Sequence, residues 1–244
     1  MKSVLVTGSN GGIGSAICHL LKNKGYLVIG SDRQKDINNL DGFIEFDIRE
    51  LALSQTKRND FAEQLELLIG NTSFKALINN AAVQILSSIE DLDIEDFRES
   101  LDTNLIAPLS LCKLAYPYLK SNKGSIVNIG SIHSKLTKPG FISYATSKTA
   151  LLGLTQSMSV DCGQYVRVNA IQPAATATEM LLDGFKDSPE SLKTLKAFHP
   201  TNTIASPNEI AEAVYFTISE QCQFLNGSIL DINGGIGSRL HDPV

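Results

Sequence analysis

The sequence has no apolar stretch approaching the ~20 residues needed to cross a bilayer. Its first apolar run, Val4-Leu5-Val6, stops at Thr7 and meets glycines at once, so it is too short for a leader segment. A cytoplasmic protein is expected. Basic tracts are absent as well: 21 Lys and Arg are scattered among 26 Asp and Glu, for a net charge of −5. Nucleic-acid binding needs a clustered positive face, so a polyanionic partner is not expected. The four cysteines (Cys18, Cys112, Cys162, Cys222) lack any Cys-x-x-Cys pairing, and the four histidines lack metal-ligand spacing. The expectation is free thiols, mostly in helix cores, and no metal site.

Nor is there a linker, a repeat or a low-complexity tract. The 244 residues, 43% of them hydrophobic, suffice for one domain over 1–244 with a sizeable core. Short β-rich runs are Val4–Val6, Leu27–Ile29, Phe43–Phe46, Leu77-Ile78, Ser125–Ile129, Val166–Ala170 and Ile229–Ile232. Most are near-continuously apolar, as parallel strands covered on both faces are. They alternate with helical segments, which predicts an α/β fold: a doubly wound sheet of about seven parallel strands with helices on both faces. One helix is predicted from about Ile13 to Lys24, with Gly25 at its C-terminal stop. A second runs from about Asp93, where Asp93–Asp96 resembles a capping box, to Leu119. A third covers Ser143 to about Asp161. Between Gln34 and Gly42 there is little room for a full helix, so that crossover is expected to be degenerate.

Between the first strand and first helix lies Thr7-Gly8-Ser9-Asn10-Gly11-Gly12-Ile13-Gly14. Glycines permit the tight turn and bring backbone N–H groups to a pyrophosphate, where the helix N-terminus adds partial positive charge. The spacing is Gly-x-x-x-Gly-x-Gly. Asp32 ends the second strand about 20 residues on, where a carboxylate can accept bonds from ribose hydroxyls and would repel a 2′-phosphate. Arg33 could bind that phosphate, but the glycine loop carries no Lys or Arg, so NAD is favoured over NADP.

Tyr144 and Lys148 stand at i and i+4 on one helix face. Ser131 follows the strand Ser125–Ile129, at the sheet edge where such folds bind ligands. A free tyrosine has pKa about 10, and working near neutrality means lowering that by roughly 2–3 units. A lysine charge ~5 Å away at an effective dielectric of ~20 would supply about 3 kcal/mol. Pro108, four residues after Asn104, has no N–H to give the Asn104 carbonyl. The helix should kink there and free that carbonyl to hold a water beside Lys148, the alternative being a kinked core helix without chemistry.

Together these segments resemble the short-chain dehydrogenase/reductase family along nearly the whole chain, implying a Rossmann-type fold. Thr7–Gly14 is similar to its cofactor loop, implying contacts from Gly8, Ser9, Asn10, Gly12, Ile13 and Gly14. Asp47-Ile48 resembles its adenine-contacting pair, and Asn79-Asn80-Ala81-Ala82 its Asn-Asn-Ala-Gly segment. Asn104, Ser131, Tyr144 and Lys148 fall in the order of its catalytic tetrad. Asn169–Pro173 with Ala174, Thr176 and Thr178 resembles the stretch that holds the nicotinamide carboxamide, and Asp231–Gly235 its closing segment. Ala82 and Ala174 stand where glycines are usual. The resemblance implies Tyr144 as general acid/base, Ser131 bonded to the substrate oxygen, and Lys148 lowering the tyrosine pKa and gripping the ribose. It also implies a homo-oligomer, a tetramer or dimer.

The substrate side is expected in a flexible lid from about Leu181 to Pro200, with Met180, Phe185 and Phe198 as apolar contacts. Lys186, Lys193 and Lys196 read as a solvated helix face rather than an anion site, and His133 as structural or exposed rather than pocket-facing. The function read is hydride transfer between NAD(H) and a small alcohol or carbonyl substrate such as a polyol, sugar or hydroxy acid. The alternatives are a 3-oxoacyl thioester reductase and a non-catalytic NAD-binding scaffold or redox sensor. A sugar-nucleotide epimerase of the extended branch is disfavoured, because no sizeable substrate domain follows the sheet.

Overall fold

The computed structural model describes residues 1–240, apart from the Met180 side chain. Seven strands form one sheet: β1 Lys2–Thr7, β2 Leu27–Asp32, β3 Gly42–Glu45, β4 Ser73–Asn79, β5 Ser125–Ile129, β6 Arg167–Pro173 and β7 Ile229–Ile232. Their order is β3-β2-β1-β4-β5-β6-β7, and every neighbouring pair is parallel. Alternate residues of β1 serve opposite faces, as the period of a strand requires. Leu5 joins a core with Leu51, Phe61, Leu111, Leu119 and Ile126, while Val4 and Val6 join one with Ile17, Leu21, Ile210 and Val214.

The first face is covered by α2 (Glu50–Leu53), α3 (Gln55–Ile69), α5 (Ala107–Asn122) and α6 (Ile142–Cys162), the second by α1 (Gly12–Asn23) and α9 (Pro207–Ile218). Between α3 and α5, α4 spans Ile94–Leu101; after β6 come α7 (Glu179–Asp183) and α8 (Pro189–Phe198). Cys18, Cys112 and Cys162 are buried on helices and Cys222 is partly exposed, all four as free thiols. Among the described residues, no helix is long and apolar enough to cross a membrane.

Three features depart from the sequence reading. The sixth strand begins one residue later and runs on through Pro173, carrying Ile171 and Gln172 to the carboxyl edge. The helix expected over 93–119 is interrupted by one π turn, Asp102–Ile106, between α4 and α5. Pro108 cannot donate to the Asn104 carbonyl, and a wider turn absorbs the interruption. Asp93 caps α4 by accepting from the Glu95 N–H at 2.8 Å. The capping box proper lies at α9, where Ser206 and Glu209 bond reciprocally.

The short crossover after Asp32 indeed forms no helix. It is a polar strap over the glycine loop. Asn10 Nδ2 donates to the Gln34 and Lys35 carbonyls, at 3.2 and 3.0 Å, and Asn38 Nδ2 to the Ser9 carbonyl at 2.9 Å. Asn38 also accepts from Ser15 Oγ at 2.8 Å.

Candidate active site

The strand order reverses direction between β1 and β4, and in open α/β sheets such a switch point opens a crevice beyond the carboxyl ends of the strands. Two sequence-predicted segments meet there. Thr7 Oγ1 accepts from the N–H groups of Asn80 and Ala81, both at 3.0 Å. Asn80 Nδ2 donates to the Thr7 and Gly8 carbonyls at 2.9 and 3.1 Å. Gly8 holds φ +63°, and a Cβ there would lie 2.9 Å from Ala81 Cα. A Cβ on Gly14 would collide with the Gly8 carbonyl. Gly8 is therefore demanded by the close approach of the segment after β4, and Gly14 by the loop's own backbone.

The chemistry of this loop fits a dinucleotide pyrophosphate. Helix α1 begins at Gly12 with no side-chain cap and no acid in its first turn, so its terminal N–H groups stay available to an anion. Ser9 Oγ is buried without a hydrogen-bond partner among the described residues. Asp32 accepts from the N–H of Asn10 (3.0 Å) and of Arg33 (2.8 Å), which orients its carboxylate at the end of β2. Arg33 is exposed. Asp47, exposed, accepts from the Arg49 N–H at 3.0 Å, whereas the Ile48 side chain is core. Of that pair, Asp47 is the one whose side chain faces solvent.

On the far side of the crevice, the segment after β6 is pinned along its length. Ala174 N–H donates to the Ile232 carbonyl (3.1 Å), and Ala177 N–H and the Ala175 carbonyl pair with Ala205 (2.8 and 3.0 Å). Thr178 caps α7 through the Leu181 N–H and lies against Gly12, where a Cβ would meet its methyl at 2.9 Å. Pro173 and Thr176 are buried, Ala174 is partly exposed and Ala82 is exposed. The loop of Gly8, Ser9, Asn10, Gly12, Ile13 and Gly14 thus faces the stretch 173–178 across one crevice.

Tyr144, Ser147 and Lys148 lie on the first two turns of α6. Lys148 is 3% exposed; its Nζ donates to the Ile129 carbonyl at 2.8 Å and stands 5.7 Å from the centroid of the Tyr144 ring. Burial pushes the Lys148 ammonium down to about 8. Burial also holds the Tyr144 phenol above its ordinary value, and a hydrogen bond with Ser131 pulls it partly back. This corrects the expectation that the lysine charge lowers the tyrosine. In the protein alone both groups lose hydration, and desolvation is the largest cause of each shift.

Asn104, 1% exposed in the π turn, is a brace. Its Nδ2 donates to the Val83 carbonyl and to Ser147 Oγ, each at 2.9 Å, and its Oδ1 accepts from the Val83 N–H at 2.9 Å. It ties the segment after β4 to α6 one residue from Lys148.

A profile described as Enoyl-(Acyl carrier protein) reductase matches residues 8–237. The chain belongs to the short-chain dehydrogenase/reductase family. An acetoacetyl-CoA reductase of Acinetobacter sp. (strain RA3849) is 30% identical over 245 residues, covering 96% of this chain and 97% of that protein. The ligand-free aldohexose dehydrogenase of Thermoplasma acidophilum superposes with a TM-score of 0.91 at 28% identity, covering 100% of this chain and 96% of the other. A 4-hydroxyisoleucine dehydrogenase complexed with NADH gives 0.88 at 28% identity, over 98% and 100% of the two chains. Like these short-chain dehydrogenases and reductases, the protein is an oxidoreductase on a Rossmann-type sheet.

This family member carries an aromatic group at Tyr144 that the sequence reading passed over. His133 stacks on Phe141 with centroids 4.1 Å apart, and both rings meet Tyr144 edge-on, at 5.9 and 6.3 Å. Burial and the nearby Lys138 hold the imidazole below its ordinary pKa. The half-buried His133 ring packs on Tyr144, beside the candidate site. Spacing gave no signal for Phe141; only the fold folds the 132–134 turn back onto it. In the segment 181–200, Lys186 pairs with Asp183 at 2.6 Å and Lys193 with Glu190 at 3.9 Å, both i,i+3 on exposed surface. Both are solvated surface pairs. Phe185 is partly buried and Phe198 about half exposed; the Met180 side chain lies outside the described residues.

Proposed function

We propose that the protein transfers a hydride between NAD(H) and a small alcohol or its ketone, with Asn104, Ser131, Tyr144 and Lys148 at the reacting end. The observation that carries this is the convergence of Tyr144, Ser131 and Lys148 at the carboxyl edge of β5, in the same crevice as the glycine loop. The bound nicotinamide supplies the hydride donor or acceptor. Tyr144 holds the proton: its phenol hydroxyl gives it to a carbonyl oxygen in reduction and its phenolate takes it in oxidation. Ser131, 7% exposed and hydrogen-bonded to Tyr144, donates to the same oxygen. Lys148 places a cation beside the phenol when protonated, which favours the phenolate in oxidation. The Asn104 side chain is spent on Val83 and Ser147, and Pro108 withholds the usual donor from its carbonyl. We assign that carbonyl to a water beside Lys148 that relays the proton to solvent.

NAD is favoured over NADP by the oriented Asp32 carboxylate. A 3-oxoacyl thioester reductase is the second reading, supported by the acetoacetyl-CoA reductase relative. Exposed Val160 on α6 and Ile106 before α5 support assembly into a homo-oligomer through these helices.

The test is nicotinamide absorbance with NAD and NADP across alcohols, polyols, sugars, hydroxy acids and acetoacetyl-CoA, with Tyr144→Phe in parallel. Turnover with NAD that vanishes in the variant supports the dehydrogenase. Preferential NADPH turnover of acetoacetyl-CoA favours the second reading. Tight NADH binding without turnover of any compound would favour a non-catalytic scaffold.

A further inference from the structure

Ser131 opens a turn that is anchored by its own Ser134 and by Gln172 of β6. Three donors converge on its carbonyl: the N–H and hydroxyl of Ser134, at 3.0 and 2.8 Å, and the side-chain amide of Gln172, at 2.9 Å. Gln172 is the one that comes from another element. It is the next-to-last residue of β6, 1% exposed, and its Nε2 also donates to Ser134 Oγ.

Only the NH2 end of an amide can meet a carbonyl, so the Ser131 carbonyl fixes the orientation of Gln172. Its Oε1 is then left buried without a hydrogen-bond partner among the described residues. An apolar side chain of similar volume would avoid that deficit, and a central strand ordinarily carries one. A buried amide kept at such a cost calls for an explanation in what its donor holds.

We propose that Gln172 is a positioning residue, whose amide fixes the Ser131–Ser134 turn and so keeps the Ser131 hydroxyl on Tyr144. The inference rests on the reading of Ser131 and Tyr144 above. It also couples two sides of the crevice. Gln172 immediately precedes Pro173, where the segment facing the glycine loop begins, so this one side chain sets the Ser131 turn relative to that segment. From α6, Thr149 Oγ1 braces the same turn by donating to the Ser134 carbonyl at 3.1 Å.

The test uses the full chain with Gln172→Met, Gln172→Glu and Ser131→Ala, and the substrate that turns over fastest in the panel. Gln172→Met keeps the volume and loses both donated bonds. Its kcat is expected to fall about tenfold or more, while NADH affinity by fluorescence titration and the melting temperature stay near wild type. In Gln172→Glu a neutral carboxyl can still donate to the Ser131 carbonyl, and an ionised one repels it. That variant should show activity falling with rising pH through the carboxyl titration, a limb absent from the wild type. This limb decides the matter if Gln172→Met does not fold.

A Gln172→Met kcat within about twofold of wild type, a parallel loss of NADH affinity, or a Gln172→Glu profile that superposes on the wild type overturns the proposal. If Ser131→Ala is impaired while Gln172→Met is not, only this inference falls. If Ser131→Ala keeps the wild-type kcat, the reading of Ser131 itself has failed.

Discussion

Lys148 Nζ donates to the carbonyl oxygen of Ile129 at 2.8 Å, and among the described residues no carboxylate pairs with it. A strand-end carbonyl supports the ammonium only partly, which is why its pKa drops to about 8 from 10.5.

That shift sets a pH dependence of stability. Between about 8 and 10.5 the unfolded lysine binds a proton that the folded one has lost, so stability rises with pH across this window. Below about 8 the buried charge carries its full cost, on the order of 3 kcal/mol. Lys148→Met should lose this slope, and its stability relative to wild type should be greatest at neutral pH and shrink towards pH 10. Urea midpoints at several pH values measure it; a constant difference between the two proteins would refute the assignment.

Tyr144→Phe removes the proton carrier and leaves the ring packing with His133 and Phe141 in place. Turnover should fall by roughly 10²-fold or more, with NADH affinity and melting temperature unchanged. Steady-state kinetics beside a fluorescence titration separates the two effects. Retained turnover would move the acid/base role elsewhere.

Asp32→Ser should weaken NAD binding and strengthen NADP binding, shifting the ratio of dissociation constants towards NADP by about tenfold or more. The carboxylate now accepts from Asn10 and Arg33 main-chain groups, and its loss removes the negative charge that would repel a 2′-phosphate next to the exposed Arg33 side chain. An unchanged ratio would show that the strap between 33 and 41, not Asp32, selects the cofactor.

Arg167, 8% exposed, donates to the carbonyls of Thr217 (2.9 Å), at the end of α9, and Leu225 (3.0 Å), in the loop to β7. Arg167→Met strands these acceptors in the interior. A loss of roughly 2–4 kcal/mol is expected, read as a lower denaturation midpoint with unchanged activity per folded molecule.

Apolar runs spaced by helical segments determined the sheet. Any parallel strand buried on both faces must be built from such runs, and Val4, Leu5 and Val6 show both faces filled within one strand. The glycine loop was equally legible, since Gly8 needs a positive φ and Gly14 would collide with the Gly8 carbonyl, both local to the chain. The missing helix after Asp32 was a matter of chain length. What tertiary structure alone decided are contacts between residues far apart in sequence. Asn104 reaches Val83 and Ser147, Gln172 reaches Ser131, and His133 closes on Phe141, none at a spacing that a periodicity can register. The pKa values of Tyr144 and Lys148 belong to the same class. Residue spacing gives the field of one group on the other, but desolvation depends on everything packed around both, and here it is the larger effect.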